Sequence, residues 1–397
     1  MFLYRPFDLD SRVEREARVL VREGYEVQVL ALPGEGLPER ESRDGYSIRR
    51  VAPDTGASRS LRRFATGRGP APLRRLAFRA WALSVLRSWS RRAAHAAAER
   101  SPALLIGHDL DGLMAGAKAK RRLGAPLIYD AHELYPDMAA KNRPRRELRA
   151  WIRFESRLIR HADLVFAVTA SRAEVMVERY GIERPVVLRN VPEIHPDGPA
   201  PTELRHELGL AAETRLLLYL GGIQPVRGLE QAIRALPSIP RAALVMMGTG
   251  EQGYLDGLRR LAREQGVNER LFVRSPVRPH EVVAVASQAD VGLVLNHRVG
   301  LNNYLSLPNK IFETIAAGVP VVASDFPDMA RLIRSYEVGE TCDPEDPSSI
   351  AAAVMAVIDD PERRHRLSEN ARAAGRELNW ERESEVLLSR VLALAPR

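Results

Sequence analysis

The chain has 397 residues, 45% of them apolar, enough for two ordinary domains with a core in each. Its one cysteine, Cys342, excludes a disulfide framework; no apolar run approaches the ~18 residues of a membrane span, and Met1 does not open a signal peptide, so a cytoplasmic protein is expected. The net charge of +8 is unevenly shared, residues 1–190 holding 36 Lys and Arg against 23 Asp and Glu while the remainder is net acidic, which points to an anionic partner for the first half.

Met1-Phe2-Leu3-Tyr4 reads as the end of a first strand, followed at once by a charged loop from Arg5 to Arg12. Helix signals start at Ser11, with Val13, Ala17, Leu20 and Val21 at helical spacing and Gly24 as the stop, and residues 26–32 alternate as a second strand. No acidic residue occurs from position 55 to 98, where ten arginines run from Arg59 to Arg92. Leu73, Leu76, Ala80 and Leu83 make one apolar stripe there, and Phe78, Trp81, Val85 and Trp89 a second beside it. Two readings stay open: a helix packed broadly on the sheet with solvated arginines, or a surface for anionic lipid. Nucleic acid is not expected, since nothing resembles an established nucleic-acid-binding module.

A short strand at 104–106 ends in Gly107-His108-Asp109, and a strand at 126–129 ends in Asp130-Ala131-His132-Glu133. Carboxyl ends of parallel strands open on one crevice, so His108, Asp109, His132 and Glu133 are expected to converge. These residue types can ligate a metal, but two adjacent pairs without helical His-x-x-x-His spacing suit polar contacts to a ligand such as a sugar better, and no metal is expected. The plainer alternative is that they only cap neighbouring loops. Residues 163–169 form a further strand, Ser171 caps the helix after it, and 185–189 closes the sheet. A Pro-, Asp- and Gly-rich stretch at 193–201 reads as a linker, dividing a first domain, 1–196, from a second, 197–379, with a last helix at about 380–397 returning to the first.

The second domain opens with a strand at 215–220, then Gly221-Gly222, Arg227 and a helix to about Leu236. A Gly-rich turn between strand and helix presents amides to phosphate, and a guanidinium at its end can grip a diphosphate bidentately. A strand at 243–247 meets Gly248-Thr249-Gly250, small enough for a ligand to approach the backbone; a strand at 272–277 ends at Val277, and one at 291–295 delivers Asn296. A polar loop at 301–307, a helix at 308–317 and a buried strand at 319–324 follow, with Glu313 one turn into the helix. Asp346 caps the helix at 350–358, and helices fill the rest.

Strand–helix alternation gives two doubly wound α/β domains. The string Phe-Glu-Thr-Ile-Ala-Ala-Gly-Val-Pro-Val-Val-Ala-Ser-Asp from Phe312 resembles the donor-site segment of the retaining family-four glycosyltransferases, which have the GT-B fold of two Rossmann-like domains with parallel sheets facing across a crevice. The resemblance implies a nucleotide diphosphate sugar as co-substrate, with no other cofactor, and transfer with retention to an acceptor hydroxyl. It implies that Glu313 holds the donor ribose, that backbone near Val277 reads the base, and that the Gly221-Gly222 turn and Arg227 stabilise the diphosphate, with Gly248, Gly250 and Asn296 also at the donor. His108 would reach the transferred sugar, with Asp109, His132 and Glu133 on the acceptor side. The chain departs from the family pattern at three places. Gly222 stands where an arginine is usual, Leu305 where a first glutamate touches the sugar, and Pro308 offers no N–H. Asn303, Tyr304, Ser306, Asn309 and Lys310 are polar substitutes nearby, and Lys310 is expected to supply the charge missing at Gly222. The acceptor is expected to be lipid-linked or a small molecule, in cell-envelope polysaccharide or glycoconjugate synthesis or on a soluble natural product. A GT-B epimerase or phosphorylase, a catalytically reduced nucleotide-sugar-binding protein and a basic surface protein on an inherited fold are the alternatives.

Overall fold

The computed structural model describes residues 1–8, 10–54, 56, 59–67, 70–138, 144–193 and 203–396. The domain boundary expected at 196 and nearly all of the expected linker lie outside the described residues. The chain divides into two compact units: one holds Met1–Met138, the described residues from Pro144 to Leu188 and the C-terminal segment from Ser384; the other holds Arg189–Glu383.

In the first unit β1 (Phe2–Pro6), α1 (Ser11–Arg22) and β2 (Gln28–Leu32) are followed by β3 (Arg40–Arg43) and β4 (Tyr46–Arg50). β1 reaches Pro6 and so takes in two residues expected in the loop. β3 and β4 form an antiparallel hairpin that apolar patterning does not signal, turning at Asp44 (φ 49°) and Gly45 (φ 85°), the positive-φ pair that suits a tight hairpin. Then come α2 (Arg59–Thr66), α3 (Ala71–Ala98), β5 (Leu105–His108), α4 (Asp109–Leu123), β6 (Leu127–Ala131), α5 (Arg145–Leu158), β7 (Leu164–Ala167), α6 (Ala170–Tyr180) and β8 (Val186–Val187). The cap of α6 is Thr169, not Ser171: its hydroxyl accepts from the Arg172 amide at 3.2 Å. α3 packs as expected only over its second half, where Leu86 and Trp89 are buried, whereas Leu73, Leu76 and Phe78 in its first half are exposed. The sheet order is β3-β4-β2-β1-β5-β6-β7-β8, parallel except at β3, so the winding reverses between β1 and β5.

The second unit contains α7 (Leu204–Glu207), β9 (Arg215–Leu220), α8 (Leu229–Ala235), β10 (Ala242–Met247), α9 (Gln252–Glu264), β11 (Leu271–Arg274), α10 (Val282–Ala286) and β12 (Val291–Val294). It continues with α11 (Leu301–Tyr304), α12 (Asn309–Ala316), β13 (Val321–Ser324), α13 (Pro327–Tyr336), β14 (Gly339–Cys342), α14 (Pro347–Ile358) and α15 (Pro361–Gly375). α11 is a helical turn inside the stretch expected as a loop. The order β11-β10-β9-β12-β13-β14 is parallel throughout and reverses between β9 and β12. β9 shows why both faces are covered: Leu217 and Tyr219 enter one buried cluster, and Leu216, Leu218 and Leu220 the other. α16 (Trp380–Leu394) starts in this unit and continues into the first, where the Tyr25 hydroxyl donates to Ala395 O at 2.8 Å.

Ligands of open α/β sheets sit outside the carboxyl ends of the strands at the point of reversal. That places a candidate site after β1 and β5 in the first unit and another after β9 and β12 in the second.

Candidate functional site

In the first unit, β5 and β6 pair so that His108 lies opposite Asp130. Asp130 is fully buried and gathers four donors. Arg12, from the first turn of α1, clamps both its oxygens, Nε to Oδ2 at 2.9 Å and Nη2 to Oδ1 at 2.6 Å. His132 Nε2 lies 2.6 Å and His108 Nδ1 3.1 Å from Oδ2. Arg12 also contacts Glu16 one turn on, at 3.1 Å. Asp109 receives the His132 amide at 3.1 Å and lies 3.7 Å from Nδ1 of the same ring; Arg5 approaches it at 3.7 Å. His108, Asp109 and His132 are thus brought together, whereas Glu133 turns to Arg172 at 2.8 Å.

The charges follow from this geometry. Burial alone disfavours every ion here. For His132 the neighbouring Asp130 and Asp109 outweigh burial and carry the imidazole up to about 9, so it is a cation at neutral pH. For His108 burial wins and its pKa falls to about 4. Asp130, in spite of burial, is held well below the usual carboxylate range by Arg12 and His132. Burial, then the Asp130 charge, raise Glu16 to about 8. The network assigns the His108 Nδ1 proton to Asp130, leaving Nε2 as a buried acceptor that no protein group satisfies among the described residues. His108, Asp130 and His132 could bring three ligand atoms to a metal ion, but the Arg12 fork already occupies both Asp130 oxygens and would repel a second cation.

In the second unit, β9 runs into Gly221-Gly222, and Arg227 precedes α8. β9 and β10 end so close together that a Cβ at Gly248 would lie 1.9 Å from Gly221 O. The Gly221 amide is not available to a ligand as expected: it donates to Met247 O at 3.0 Å and continues the sheet, whereas the Gly222 amide meets no backbone acceptor among the described residues. Gly250 pairs with Ile223 in an isolated parallel bridge. Lys310, in the first turn of α12, places its Nζ 3.8 Å over the Tyr219 ring, and a Cβ on Gly221 would lie 3.4 Å from it. Burial first, then the Arg227 charge, lower its pKa to about 7. Glu313 follows on the same face of α12 and is half-buried.

Arg227 donates to Asn296 Oδ1 at 3.2 Å, Asn296 Nδ2 donates to Ser306 Oγ at 3.3 Å, and Ser306 Oγ donates to Asn303 O at 2.7 Å. Asn296 and Ser306, expected as ligand contacts, therefore stand behind Arg227 and fix it; Asn296 is buried, with its backbone carbonyl held by Ser324 Oγ at 2.8 Å. Tyr304 packs edge-on against Phe326 and under the Arg298 guanidinium, 4.1 Å from its ring centre. Leu305 is buried, and Asn309 opens α12 behind Pro308. Val277 lies three residues past β11 and packs on the cluster of Leu216, Leu218 and Leu220. Asp130, Arg12, Glu16 and Tyr219 are members of the two sites that the sequence alone did not single out as site residues. The usable signal for Arg12 and Glu16 was an Arg-x-x-x-Glu pair beside the apolar stripe of α1, charges that burial tolerates only when paired; nothing local marked Asp130.

A family model described as glycosyl transferases group 1 matches residues 201–374, and one described as a glycosyl transferase 4-like domain matches residues 9–191. The D-inositol 3-phosphate glycosyltransferase of Xylanimonas cellulosilytica is 28% identical over 288 residues, 69% of this chain and 68% of that protein. Its namesake from Geodermatophilus obscurus is 30% identical over 298 residues, 70% of this chain and 64% of that protein, so the match spans about two thirds of these relatives. Among solved structures, sucrose-phosphate synthase from Thermosynechococcus elongatus is similar with a TM-score of 0.76 at 18% identity over 98% of both chains. Anabaena HepE in complex with UDP-glucose gives 0.74 at 17% identity over 99% of both. At those identities the two structures speak for the fold alone.

Proposed function

We propose, for a chain that belongs to the group 1 glycosyltransferases and has the GT-B fold of two Rossmann-like units, that it moves a hexose-like sugar from a nucleoside diphosphate sugar to an acceptor hydroxyl with retention of configuration. The observation that carries this reading is a basic pair at the end of β9: Arg227, held by Asn296 in the turn after β9, acts on Lys310, which is seated on Tyr219 in the first turn of α12, one turn ahead of a half-buried carboxylate, Glu313. A diphosphate leaving group develops negative charge as its bond to the anomeric carbon breaks, and Arg227, with a Lys310 that the bound diphosphate recharges, stabilises that charge more than the ground state. In this reading they make a metal unnecessary. Glu313 accepts both ribose hydroxyls and the leaving phosphate oxygen takes the acceptor proton; within the first unit, the unsatisfied His108 Nε2 is an acceptor suited to a sugar hydroxyl.

Lys310 takes the place of the cation that Gly222 does not supply. Its lowered pKa lets it sit beside Arg227 in the free protein, and an arriving diphosphate restores its charge. The relatives' name suggests a phosphorylated cyclitol as one small-molecule acceptor to try beside lipid-linked ones. A role in cell-envelope polysaccharide or glycoconjugate synthesis is consistent with either. The buried Leu305 and the missing N–H of Pro308 favour a second reading, a nucleotide-sugar-binding protein without turnover. Incubation with a panel of UDP-, GDP-, ADP- and TDP-sugars and candidate acceptors separates the two. Nucleoside diphosphate released together with glycosylated acceptor supports transfer. Free sugar with no product supports hydrolytic or epimerase chemistry, and binding without release supports the second reading.

A further inference from the structure

Six large apolar side chains stand well exposed among the described residues, and four of them share one end of the first unit: Phe64 (46% exposed), Leu73 (52%), Leu76 (64%) and Phe78 (53%). They project from a helical hairpin. α2 lies against the first half of α3 through buried Ala65, through Arg74 Nε donating to Ala65 O at 3.3 Å, and through Arg62 over the Trp81 ring at 6.0 Å. Exposed arginines alternate with the apolar groups at 62, 63, 74, 75 and 79, and a shallow depression between the helices is lined by Ala65, Ala71, Arg74, Arg75, Phe78 and Arg79. The sequence from 55 to 98 holds no carboxylate; Glu147 of α5 reaches in to Arg79 at 2.6 Å. No described helix is long and apolar enough to cross a membrane.

We propose that this hairpin end docks on an anionic lipid bilayer. The core does not use these four apolar groups, and a merely solvated basic helix has no need of them. A lipid interface satisfies both sets at once: the Leu and Phe side chains enter the acyl boundary while the guanidiniums stay at phosphate level. A second copy of the chain would set this basic face against its own charge, and a nucleic acid would engage the arginines but leave the apolar groups in water.

The test uses the whole chain and its sedimentation with vesicles, one set of phosphatidylcholine with a quarter phosphatidylglycerol, one of phosphatidylcholine alone, at low and moderate salt. The expected result is partition at least about tenfold stronger onto the anionic set, weakening with salt. Arg63→Gln with Arg75→Gln lowers it about 25-fold, roughly fivefold for each arginine, and Leu73→Asp with Leu76→Asp abolishes it. Both variants keep the wild-type far-UV spectrum and melting midpoint, because the altered groups already face water. Failure to partition onto anionic vesicles overturns the proposal, as does equal partition onto neutral ones. A dimer that Leu73→Asp with Leu76→Asp abolishes, or an oligonucleotide bound in preference to vesicles, also overturns it. None of these outcomes depends on whether the chain turns over a nucleotide sugar.

Discussion

Replacing Asp130 with Asn keeps the shape of the residue at the centre of the first-unit cluster and removes its charge. Arg12 and Asp130 are almost wholly buried, and in the variant Arg12 keeps Glu16 as its ion-pair partner among the described residues, with Asp109 further off. Breaking a buried ion pair from one side costs about 3–5 kcal/mol, a drop of roughly 9–15 °C at about 3 °C per kcal/mol for a unit near 200 residues. The pH dependence is the sharper readout. His132 titrates near 6.5 when unfolded and at about 9 when folded, so its contribution is complete below pH 6.5 and is lost as pH rises through about 9. Glu16, raised to about 8, acts in the same direction, its contribution being lost as pH rises from about 4.5 through 8. Lys310, lowered to about 7, and the Met1 amine, lowered to about 5, push whole-protein stability the opposite way as pH rises, so the cluster's loss between pH 6.5 and 9 is read as the difference between wild type and Asp130→Asn in urea unfolding followed by far-UV circular dichroism. Asp130→Asn should be less stable at pH 6.5 and lose less over that interval, since both shifts depend on the Asp130 charge. A cycle with Arg12→Met should show the two losses coupled. A variant within about 1 kcal/mol of wild type with an unchanged pH slope would refute this account of the cluster.

Lys310 makes a second pH prediction. Its neutral form dominates above about pH 7, and a bound diphosphate favours the charged form, so nucleotide binding at pH 8 should take up a proton, measurable by calorimetry in buffers of different ionisation enthalpy. Lys310→Ala should bind more weakly by about tenfold and lose the uptake; unchanged affinity would show that Lys310 does not replace the missing cation. Gly248→Ala forces a Cβ against Gly221 O at 1.9 Å and should destabilise the second unit by about 2–4 kcal/mol, with a melting curve as the check. Asn296→Ala should weaken nucleotide binding through a loosened Arg227; Arg227→Ala combined with it should then cost no more than Arg227→Ala alone, and additive losses would sink the positioning role.

Much of the second unit was legible because its strands are apolar runs stopped by Gly or by polar residues, as in β9 before Gly221 and β10 before Gly248. The β3–β4 hairpin was not: Arg40-Glu41-Ser42-Arg43 has no apolar residue, since an edge strand can carry charge where a central one cannot. Apolar periodicity in α3 correctly indicated a helix but not how much of it would be covered, because burial is decided by the neighbours that reach it. His108 and His132 could be placed at strand ends from spacing alone. Asp130 could not be recognised as their common partner, since that depends on the register of β5 against β6 and on a helix more than a hundred residues earlier in the chain. Likewise nothing local distinguishes Asn296 as a support for Arg227 from a residue that meets a ligand.

The donor site is tested most directly by the melting midpoint of the protein against UDP, GDP, ADP and TDP, with Glu313→Ala measured alongside. A nucleotide at a hundred times its dissociation constant should stabilise the wild type by about 2.7 kcal/mol. One base should be preferred, and in Glu313→Ala the shift should shrink in keeping with a roughly tenfold or greater loss of affinity, as expected when charge-assisted hydrogen bonds to the ribose are removed. No shift with any nucleotide, or an equal shift in Glu313→Ala, would contradict a donor site built from Arg227, Lys310 and Glu313.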